Sequence, residues 1–246
     1  MGAAATSPSA GSYAGRRCGV TGAGGALGRA LLGCLLDEGA DPVALRHGPG
    51  ELSLERPDGS RHPVETVAWA VGQEEALAPL LASLDVLVIN HGINRLGARD
   101  ADALRQSLEV NTLSALRLFE LMLALPPRPG RPREVWVNTS EAEVSPAFSP
   151  LYEISKRTLG ELVSLRSLDA DGGCTVRRLV LGPFRSDLNP YGVMRADGVA
   201  RAVLRQAAAG RRLVIVTPNP LTWLLMPAVE TARQLYYRAV TRRRDP

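Results

Sequence analysis

Residues 20–30 read VTGAGGALGRA, in which an apolar segment runs into a glycine-rich turn and then into the helical pattern ALLGCLL of residues 30–36. Glycines permit a tight turn and a close approach to the backbone. The helix N-terminus that follows offers free N–H groups and the positive end of its dipole. Such a strand–turn–helix unit predicts a site for the pyrophosphate of a dinucleotide. Glycine-rich turns also serve plain packing, so this motif alone leaves that alternative open.

The rest of the chain repeats the same alternation. Short apolar segments such as DVLVIN, REVWVNTS and RRLVIVT are separated by longer helical patterns. Apolar strands that alternate with helices indicate a parallel sheet covered on both faces. We therefore predict an α/β, doubly wound, three-layer αβα Rossmann fold in a single domain over residues 16–220. The Ala/Gly/Ser-rich residues 1–15 are expected to form a disordered leader, and residues 221–246 a helical tail.

Composition limits the classes of function. The chain has 246 residues and a formal net charge of +4, but its basic residues are interleaved with acids, which argues against nucleic acid as a partner. Its three cysteines lack the spacing of a disulfide framework or a metal site, which suits a reducing cytoplasm. Apolar runs fall short of the roughly 18 residues that span a bilayer. We expect a cytoplasmic protein without a metal.

The 29 basic residues include a single lysine, Lys156. On a helix it would share a face with Tyr152, four positions earlier. A nearby cation favours the phenolate and lowers the pKa of a tyrosine, which makes the phenol usable as a proton donor and acceptor. A compact ammonium on a flexible stem is not readily replaced by a guanidinium. We predict that this pair carries the chemistry.

The second predicted strand ends in VALRH, with Arg46 and His47. An acidic residue here would favour the ribose hydroxyls of NAD, whereas a basic residue favours the 2′-phosphate of NADP. We therefore expect NADP (NADPH) to be preferred, with NAD as the alternative.

Tyr152-x-x-x-Lys156, with Ser140 upstream, resembles the catalytic signature of the short-chain dehydrogenase/reductase superfamily, in its single-domain branch. Four further segments are similar to that family's motifs in the same order: TGAGGALG, VINHG, EVNTLS and LGPFRSDL. The resemblance covers residues 16–217. It implies that Tyr152 is the general acid/base, that Lys156 tunes it and holds the nicotinamide ribose, and that Ser140 holds the substrate oxygen. It also implies that Asn111 holds a water in a proton relay ending at Lys156.

The resemblance together with the glycine turn gives a set of cofactor-binding residues: Thr21, Gly22, Gly24, Gly25, Ala26, Leu27, Gly28, Arg46, His47, Ala70, Val71, Asn90, His91, Gly92, Tyr152, Lys156, Gly182, Pro183, Phe184 and Ser186. His91 is expected to be a loop residue under the cofactor. Candidate substrate contacts are Glu141, Glu143, Phe148, Phe184 and Tyr191, which suit a moderately apolar alcohol or ketone. A solvated loop is the alternative for the two glutamates.

These observations predict an NADP(H)-dependent oxidoreductase that interconverts a ketone or aldehyde and an alcohol, with a homodimer or homotetramer implied by the family. Two alternatives stay open. A sugar-nucleotide-type epimerase or dehydratase is favoured by the T-G-x-x-G-x-x-G spacing from Thr21 to Gly28, although the chain is short for the usual substrate domain. A non-catalytic NADP-binding regulatory protein is disfavoured because all four catalytic positions are filled.

In the tail, apolar residues recur at helical spacing: Leu221, Leu224, Leu225, Ala228, Val229, Ala232, Leu235, Tyr236, Ala239 and Val240. They predict one apolar helix face. We expect this face to pack on the domain or on a partner subunit. The alternative is a peripheral membrane contact that admits a lipid-like substrate, helped by the arginines of residues 242–244.

Overall fold

The computed structural model describes residues 12–56, 58–128, 130–170 and 173–241. Eight strands form one sheet: β1 (Arg17–Thr21), β2 (Asp41–His47), β3 (Leu52–Glu55), β4 (Arg61–Trp69), β5 (Val86–Ile89), β6 (Arg133–Asn138), β7 (Cys174–Leu181) and β8 (Leu213–Val216). The α-helices are α1 (Ala26–Asp37), α2 (Ala78–Ser83), α3 (Ala101–Leu108), α4 (Ser114–Leu123), α5 (Pro150–Arg166), α6 (Ala196–Ala208) and α7 (Pro220–Val240). The predicted doubly wound α/β fold is confirmed.

The strand order is β3-β4-β2-β1-β5-β6-β7-β8, and every pairing is parallel except β3 with β4. The chain moves outward from β1 in one direction through β2 and then returns to place β5 on the other side. A crevice opens at such a reversal beyond the carboxyl ends of the strands, and ligands of this fold class bind there. The antiparallel edge strand β3 was missed by the sequence analysis because its four residues alternate in exposure and carry little apolar signal.

Two apolar cores cover the sheet. On one face, residues of α1 and α6 pack against β1, β5 and β7. On the other face, α2, α4 and α5 pack against β2, β5 and β6. Strands such as β5, VLVI, are buried on both sides and therefore read as continuous apolar runs. This arrangement fixes the carboxyl ends of the strands at one edge.

The predicted leader is wrong in its last residues. Tyr13 is buried, and its ring meets the buried Trp136 ring edge-on, with the two centroids 5.5 Å apart. The Gly15 N–H donates to the Gly39 carbonyl at 2.9 Å. An aromatic ring of this size stabilises a core strongly, which outweighs the Ala/Gly-rich composition around it. Residues 1–11 lie outside the described ranges.

Between α3 and α4 the helix takes one π-helical turn, Glu109–Leu113. A π turn inserts a residue into the helix and commonly marks a functional position. Here it contains Asn111, one of the predicted catalytic residues.

Candidate active site

The glycine turn leaves room for an anion at the start of α1. Gly25 is the N-cap of α1, no side chain caps the helix, and its first turn contains no acidic residue. Gly22 has φ +63°, and a Cβ on Gly28 would overlap the Gly22 carbonyl oxygen. Gly24 faces open space. The free N–H groups and the dipole of α1 therefore fit the pyrophosphate of a dinucleotide.

Thr21, at the end of β1, joins the turn to the neighbouring loop. Its Oγ1 accepts hydrogen bonds from the backbone N–H groups of Asn90 at 2.8 Å and His91 at 3.2 Å. It also lies 2.9 Å from His91 Nδ1. Gly22 packs against the backbone of His91 so closely that a Cβ there would come within 2.9 Å of the His91 Cα. The predicted cofactor residues after β1 and β5 thus form one surface.

His91 lies beneath this surface. Its ring meets Trp69 edge-on, with centroids 5.0 Å apart, and its Nε2 is buried with no hydrogen-bond partner among the described residues. Burial, reinforced by the charge of Lys156, lowers the pKa of His91 to about 3. An imidazole with this pKa is neutral at physiological pH and is a poor proton shuttle. The structure places His91 in the loop after β5, and its position under a cofactor stays a prediction.

Helix α5 brings Tyr152 and Lys156 to the same side of the site. Lys156 is buried, and its Nζ donates to the Asn138 carbonyl at 2.8 Å. The same Nζ lies 5.9 Å from the centroid of the Tyr152 ring. The start of α5 is favoured by Pro150 in its first turn. The predicted pair is thus assembled as the i,i+4 spacing requires.

The predicted lowering of the Tyr152 pKa is wrong for the protein without a bound ligand. Burial raises the pKa of Tyr152, and hydrogen bonding with the Ser140 side chain acts in the opposite direction. Burial also lowers the pKa of Lys156 to about 8, although the negative charge of Glu143 opposes this. Both shifts have the same cause, since a low-dielectric site disfavours the charged form of either group. Because the two pKa values move in opposite directions from ordinary values of 10.0 and 10.5, the two groups titrate further apart than they would in water.

Ser140 follows β6 and caps a short 3₁₀ helix, Glu141–Glu143. Its Oγ accepts from the Ala142 N–H at 3.1 Å, so its hydroxyl proton can be donated to Tyr152 or to a substrate oxygen. Asn111, in the π turn, accepts from the Ile93 N–H at 2.7 Å and donates to the Ile93 carbonyl at 2.9 Å. Its amide also donates to Ser155 Oγ at 3.0 Å. The proton relay through Asn111 stays a prediction.

Gly92 lies between Asn111 and Lys156. A Cβ on Gly92 would come within 3.0 Å of Asn111 Oδ1 and 4.0 Å of Lys156 Nζ. The absence of a side chain therefore keeps a narrow space open beside the ammonium group. A nicotinamide ribose held by Lys156 would need such space.

The outer cofactor residues lie at the same edge of the sheet. Arg46 and His47 end β2, and the Arg46 guanidinium is held loosely, with its NH1 3.5 Å from the Glu51 carbonyl. Ala70 and Val71 follow β4 and are partly exposed. On the other side, Gly182, Pro183, Phe184 and Ser186 follow β7, where Gly182 lies against Thr217 so closely that a Cβ would overlap it.

The predicted substrate residues divide into two groups. Phe148 is 90% exposed, with φ +55°, and Tyr191 is 82% exposed. Both side chains therefore remain available to a substrate at the mouth of the site, by which we mean the loops that follow β5, β6 and β7. Glu143 is instead fully buried, paired with Arg178 and with Arg233 at 2.9 Å. We correct its assignment, because a buried carboxylate that pairs with two guanidinium groups cannot reach a substrate without breaking both ion pairs.

Glu141 is also held by the protein. Its carboxylate accepts from the Thr217 hydroxyl and, at 3.3 Å, from the Thr222 hydroxyl. It therefore ties the loop after Ser140 to β8 and α7. The phenyl ring of Phe184, the remaining predicted contact, is partly buried against the core cluster containing α1 and α6.

Two residues of the site were missed by the sequence analysis. Asn94 accepts from Ser149 Oγ at 2.6 Å and donates to the Leu188 carbonyl at 3.1 Å, so it joins three loops at the mouth. Arg29, on α1, reaches the Gly24 carbonyl at 3.4 Å and the Ser53 carbonyl at 3.3 Å. For Arg29 the signal was present, since a basic residue directly after the last glycine of the turn lies beside a phosphate site. Asn94 carried none, because its partners are distant in sequence.

The chain is similar in sequence or in fold to several known proteins. The chain is 47% identical over 234 residues to monoglucosyldiacylglycerol epimerase of Synechocystis sp., and the match covers 94% of this chain and 56% of that protein. No protein-family model matches the sequence.

Solved structures with the same fold include a short-chain dehydrogenase from Burkholderia cenocepacia in complex with NADP, with a TM-score of 0.68 at 20% identity and coverage of 94% of this chain and 99% of that one. A short-chain dehydrogenase from Sphingobium yanoikuyae in complex with NADPH gives a TM-score of 0.73 at 17% identity, covering 94% and 98% of the two chains. At such identities the likeness is one of fold. The chain therefore has the fold of the short-chain dehydrogenases.

Proposed function

We propose that this chain is an NADP(H)-dependent short-chain dehydrogenase/reductase that interconverts an alcohol and a ketone or aldehyde by hydride transfer. The observation that carries the proposal is the grouping of Ser140, Tyr152 and Lys156 beside the glycine turn, at the carboxyl edge of the parallel sheet. The relatives of similar fold that bind NADP or NADPH support it.

The chain's own groups divide the work of such a reaction. NADP(H), when bound, supplies or accepts the hydride. Ser140 and Tyr152 donate hydrogen bonds to the substrate oxygen, which gathers negative charge as a carbonyl is reduced. Tyr152 then gives its proton to that oxygen, and in the opposite direction it accepts the proton. Lys156 stabilises the resulting phenolate through its positive charge.

The test of this proposal is Tyr152→Phe. The variant keeps the ring but loses the proton, so turnover should fall by roughly 10²–10⁴ while NADPH binding changes little. Tyr236→Phe, which removes a hydroxyl from the outer side of α7, is the matched control and should retain full activity. Turnover is measured through NADPH absorbance with a panel of ketones, aldehydes and lipid-like alcohols. A Tyr152→Phe enzyme that keeps more than about a tenth of wild-type turnover would exclude Tyr152 as the acid/base.

The preference for NADP is proposed to rest on Arg46. Arg46→Asp replaces a partner of the 2′-phosphate with a like charge, so NADPH affinity should fall by about 10–100-fold while NADH affinity changes little. Arg61→Asp is the control and should leave both affinities unchanged, because Arg61 begins β4 whereas Arg46 lies beside the end of that strand. Fluorescence titration with each cofactor measures the constants. Equal losses for NADPH and NADH would show that the phosphate is held elsewhere.

Epimerisation is the second candidate. It is favoured by the identity to monoglucosyldiacylglycerol epimerase and by the T-G-x-x-G-x-x-G spacing. On this site it would proceed by removal of hydride from a carbinol carbon of a sugar and its return to the opposite face, with Tyr152 taking and returning the hydroxyl proton. The chain spans 56% of that relative's length, so the relative's activity is a proposal here.

A labelled substrate separates the two reactions. A glycosyl diacylglycerol deuterated at the reacting carbinol carbon should, under epimerisation, invert that carbon, keep the deuterium and give no net change in NADPH. Under net oxidation the deuterium should appear in the cofactor with one NADPH formed for each ketone.

A lipid-like substrate, a homodimer or homotetramer and a peripheral membrane contact are further parts of the proposal. Among the described residues, no helix has both the length and the apolar character needed to cross a membrane.

A further inference from the structure

Helix α7 packs on the protein through its polar face and turns its apolar face outward. Thr222 and Met226 are buried, and lower on the same side Glu230 pairs with Arg178. Arg233 pairs with Glu143 at 2.9 Å and with Glu161 at 2.7 Å. Ordinary surface helices show the opposite arrangement. The apolar face therefore does not pack on the domain, because the ion pairs on the other face determine how the helix lies; its packing on a partner subunit stays a prediction.

The outward side of α7 is apolar over most of its length. Its large side chains are Leu224, 70% exposed, Tyr236, 63%, Leu235, 62%, Leu221, 60%, and Val240, 58%. Smaller apolar residues at 228, 232 and 239 lie exposed between them. A continuous apolar strip of this kind normally marks an interaction surface.

A second group of exposed apolar side chains surrounds the mouth of the site. It consists of Leu96, 61% exposed, Phe148, 90%, Leu188, 46%, Tyr191, 82%, and Val193, 72%. We call this group the rim. It lies on three loops that the side chain of Asn94 joins. The rim loops are thus held together, and each one directs an apolar side chain into solvent.

The rim and the strip on α7 adjoin each other. Asn219, the N-cap of α7, donates from its side chain to Ser145 Oγ at 3.2 Å, three residues before Phe148. Trp223, in the first turn, is 45% exposed and anchors its indole N–H on the Thr217 carbonyl at 3.1 Å. The apolar strip therefore begins beside the loop that carries Phe148.

Positive charge borders this surface. Arg238 is exposed in the last turn of α7, and Arg185 and Arg195 are exposed on the loop that carries Tyr191, where Arg195 pairs with Asp197 at 3.7 Å and Asp187 is also exposed. The sequence then continues with three arginines at 242–244. Aromatic residues with polar tips next to arginines suit the boundary between lipid headgroups and acyl chains. Such charges would bind anionic headgroups within the Debye length of a surface.

We propose that the outward face of α7 and the rim together bind the surface of an anionic lipid bilayer. The bilayer is favoured over a second copy of the chain because the arginine border matches anionic lipid and would repel itself across a symmetric interface. A bilayer also leaves substrate entry to the mouth open. Binding of this surface to a bilayer does not depend on the proposed reaction. It deepens the proposed function because it places the mouth of the site where a glycolipid would lie.

The test is flotation of the full chain with vesicles of phosphatidylcholine alone or with phosphatidylglycerol added. Wild-type protein should partition onto the anionic vesicles at low salt, and added salt should weaken binding. Leu224→Asp/Leu235→Asp should lower the partition by roughly tenfold or more, since two charges replace apolar contacts with the acyl region. Ala209→Asp changes an exposed residue directly after α6, outside both the α7 strip and the rim, and this control should bind as wild type does.

Two further measurements make the result unambiguous. Thermal melting of each variant should match wild type, because every substituted side chain is exposed, and turnover of a water-soluble carbonyl compound should be retained. Loss of vesicle binding by Leu224→Asp/Leu235→Asp with turnover intact supports the proposed membrane-binding surface. Absence of turnover in the wild-type protein would contradict only the proposed reaction. Wild-type protein that ignores anionic vesicles at low salt overturns the proposal. A light-scattering dimer that Leu224→Asp/Leu235→Asp converts to monomer, without vesicle binding, would make the face a contact between copies and would also overturn it.

Discussion

At the scale of the residue, Lys156 shows why an ammonium group was retained among arginines. It is buried, donates to the Asn138 carbonyl at 2.8 Å, and lies beside the space that Gly92 leaves open. A guanidinium is larger, has five N–H donors to satisfy and keeps its charge at every accessible pH. The lysine also has a pKa of about 8 because of its burial. Lysine and arginine therefore differ at this position both in the size of the charged group and in the ability to lose its charge.

Lys156→Arg should therefore lower kcat/KM by roughly 10²-fold or more, since the guanidinium cannot hold both the ribose and the phenolate in the same geometry. The sign of the pH dependence follows from the lowered pKa of Lys156. The ammonium is charged below about pH 8 and loses its charge above it, so wild-type kcat/KM should decline as pH rises through 8. The residual activity of the arginine variant should lack that decline. Wild-type turnover by the arginine variant would contradict the assignment; circular dichroism checks its fold.

At the scale of the element, α5 has one side facing the site and another facing a buried cluster of ion pairs. Gly160 lies two turns after Tyr152, where the carboxylate of Glu143 and the guanidinium of Arg178 approach the helix backbone. The Arg178 NH1 also donates to Ser164 Oγ at 2.7 Å. This cluster connects the loop after Ser140, strand β7, α5 and α7. The orientation of α7 is therefore set by charge pairs next to the catalytic helix.

Gly160→Ala should destabilise the protein although alanine is the better helix former. A Cβ at this position would overlap the buried Glu143 carboxylate and displace its pairing with Arg178, which should cost about 3 kcal/mol or more. Gly33→Ala on α1 is the matched control, because a Cβ there meets nothing within 4 Å. It should stabilise by about 0.5–1 kcal/mol. Urea unfolding of both variants measures the difference; equal effects would show that the buried cluster accommodates the methyl group.

At the scale of the whole molecule, Glu74 holds the loop that follows β4 against the start of α4. Its carboxylate is 1% exposed and accepts from Arg117 Nε at 2.7 Å, from Ser114 Oγ at 2.5 Å and from the Gly72 N–H at 3.0 Å. Burial alone would raise the pKa of Glu74, but the hydrogen bonds from Arg117 and Ser114 lower it to about 2. The loop that this carboxylate fixes contains Ala70 and Val71, two of the predicted cofactor-binding residues.

Glu74→Gln should remove a pH-dependent part of the free energy of unfolding. Because the folded pKa lies below the ordinary value of 4.5, the ionised carboxylate stabilises the native state above pH 4.5, and that stabilisation is lost as pH falls toward 2. The difference between wild type and variant should therefore be largest at neutral pH, at roughly 2–3 kcal/mol, and should shrink in acid. Urea unfolding at a series of pH values measures it. A difference independent of pH would mean that the hydrogen bonds alone, without the charge, support the loop.

The fold class and the proximity of Tyr152 and Lys156 could be predicted from the sequence alone, because both rest on local regularities. Apolar runs alternating with helical patterns require a covered parallel sheet, and the four-residue spacing of Tyr152 and Lys156 puts them on one helix face whatever surrounds them. Other features could be learned only from the folded chain, because they depend on residues that are far apart in sequence. Glu143 is a structural ion-pair residue because Arg178 and Arg233 meet it, and Asn94 joins the mouth because Ser149 and Leu188 come to it. The apolar face of α7 points outward for the same reason, since helical periodicity locates a face but the buried charges on the opposite side decide which way the helix turns.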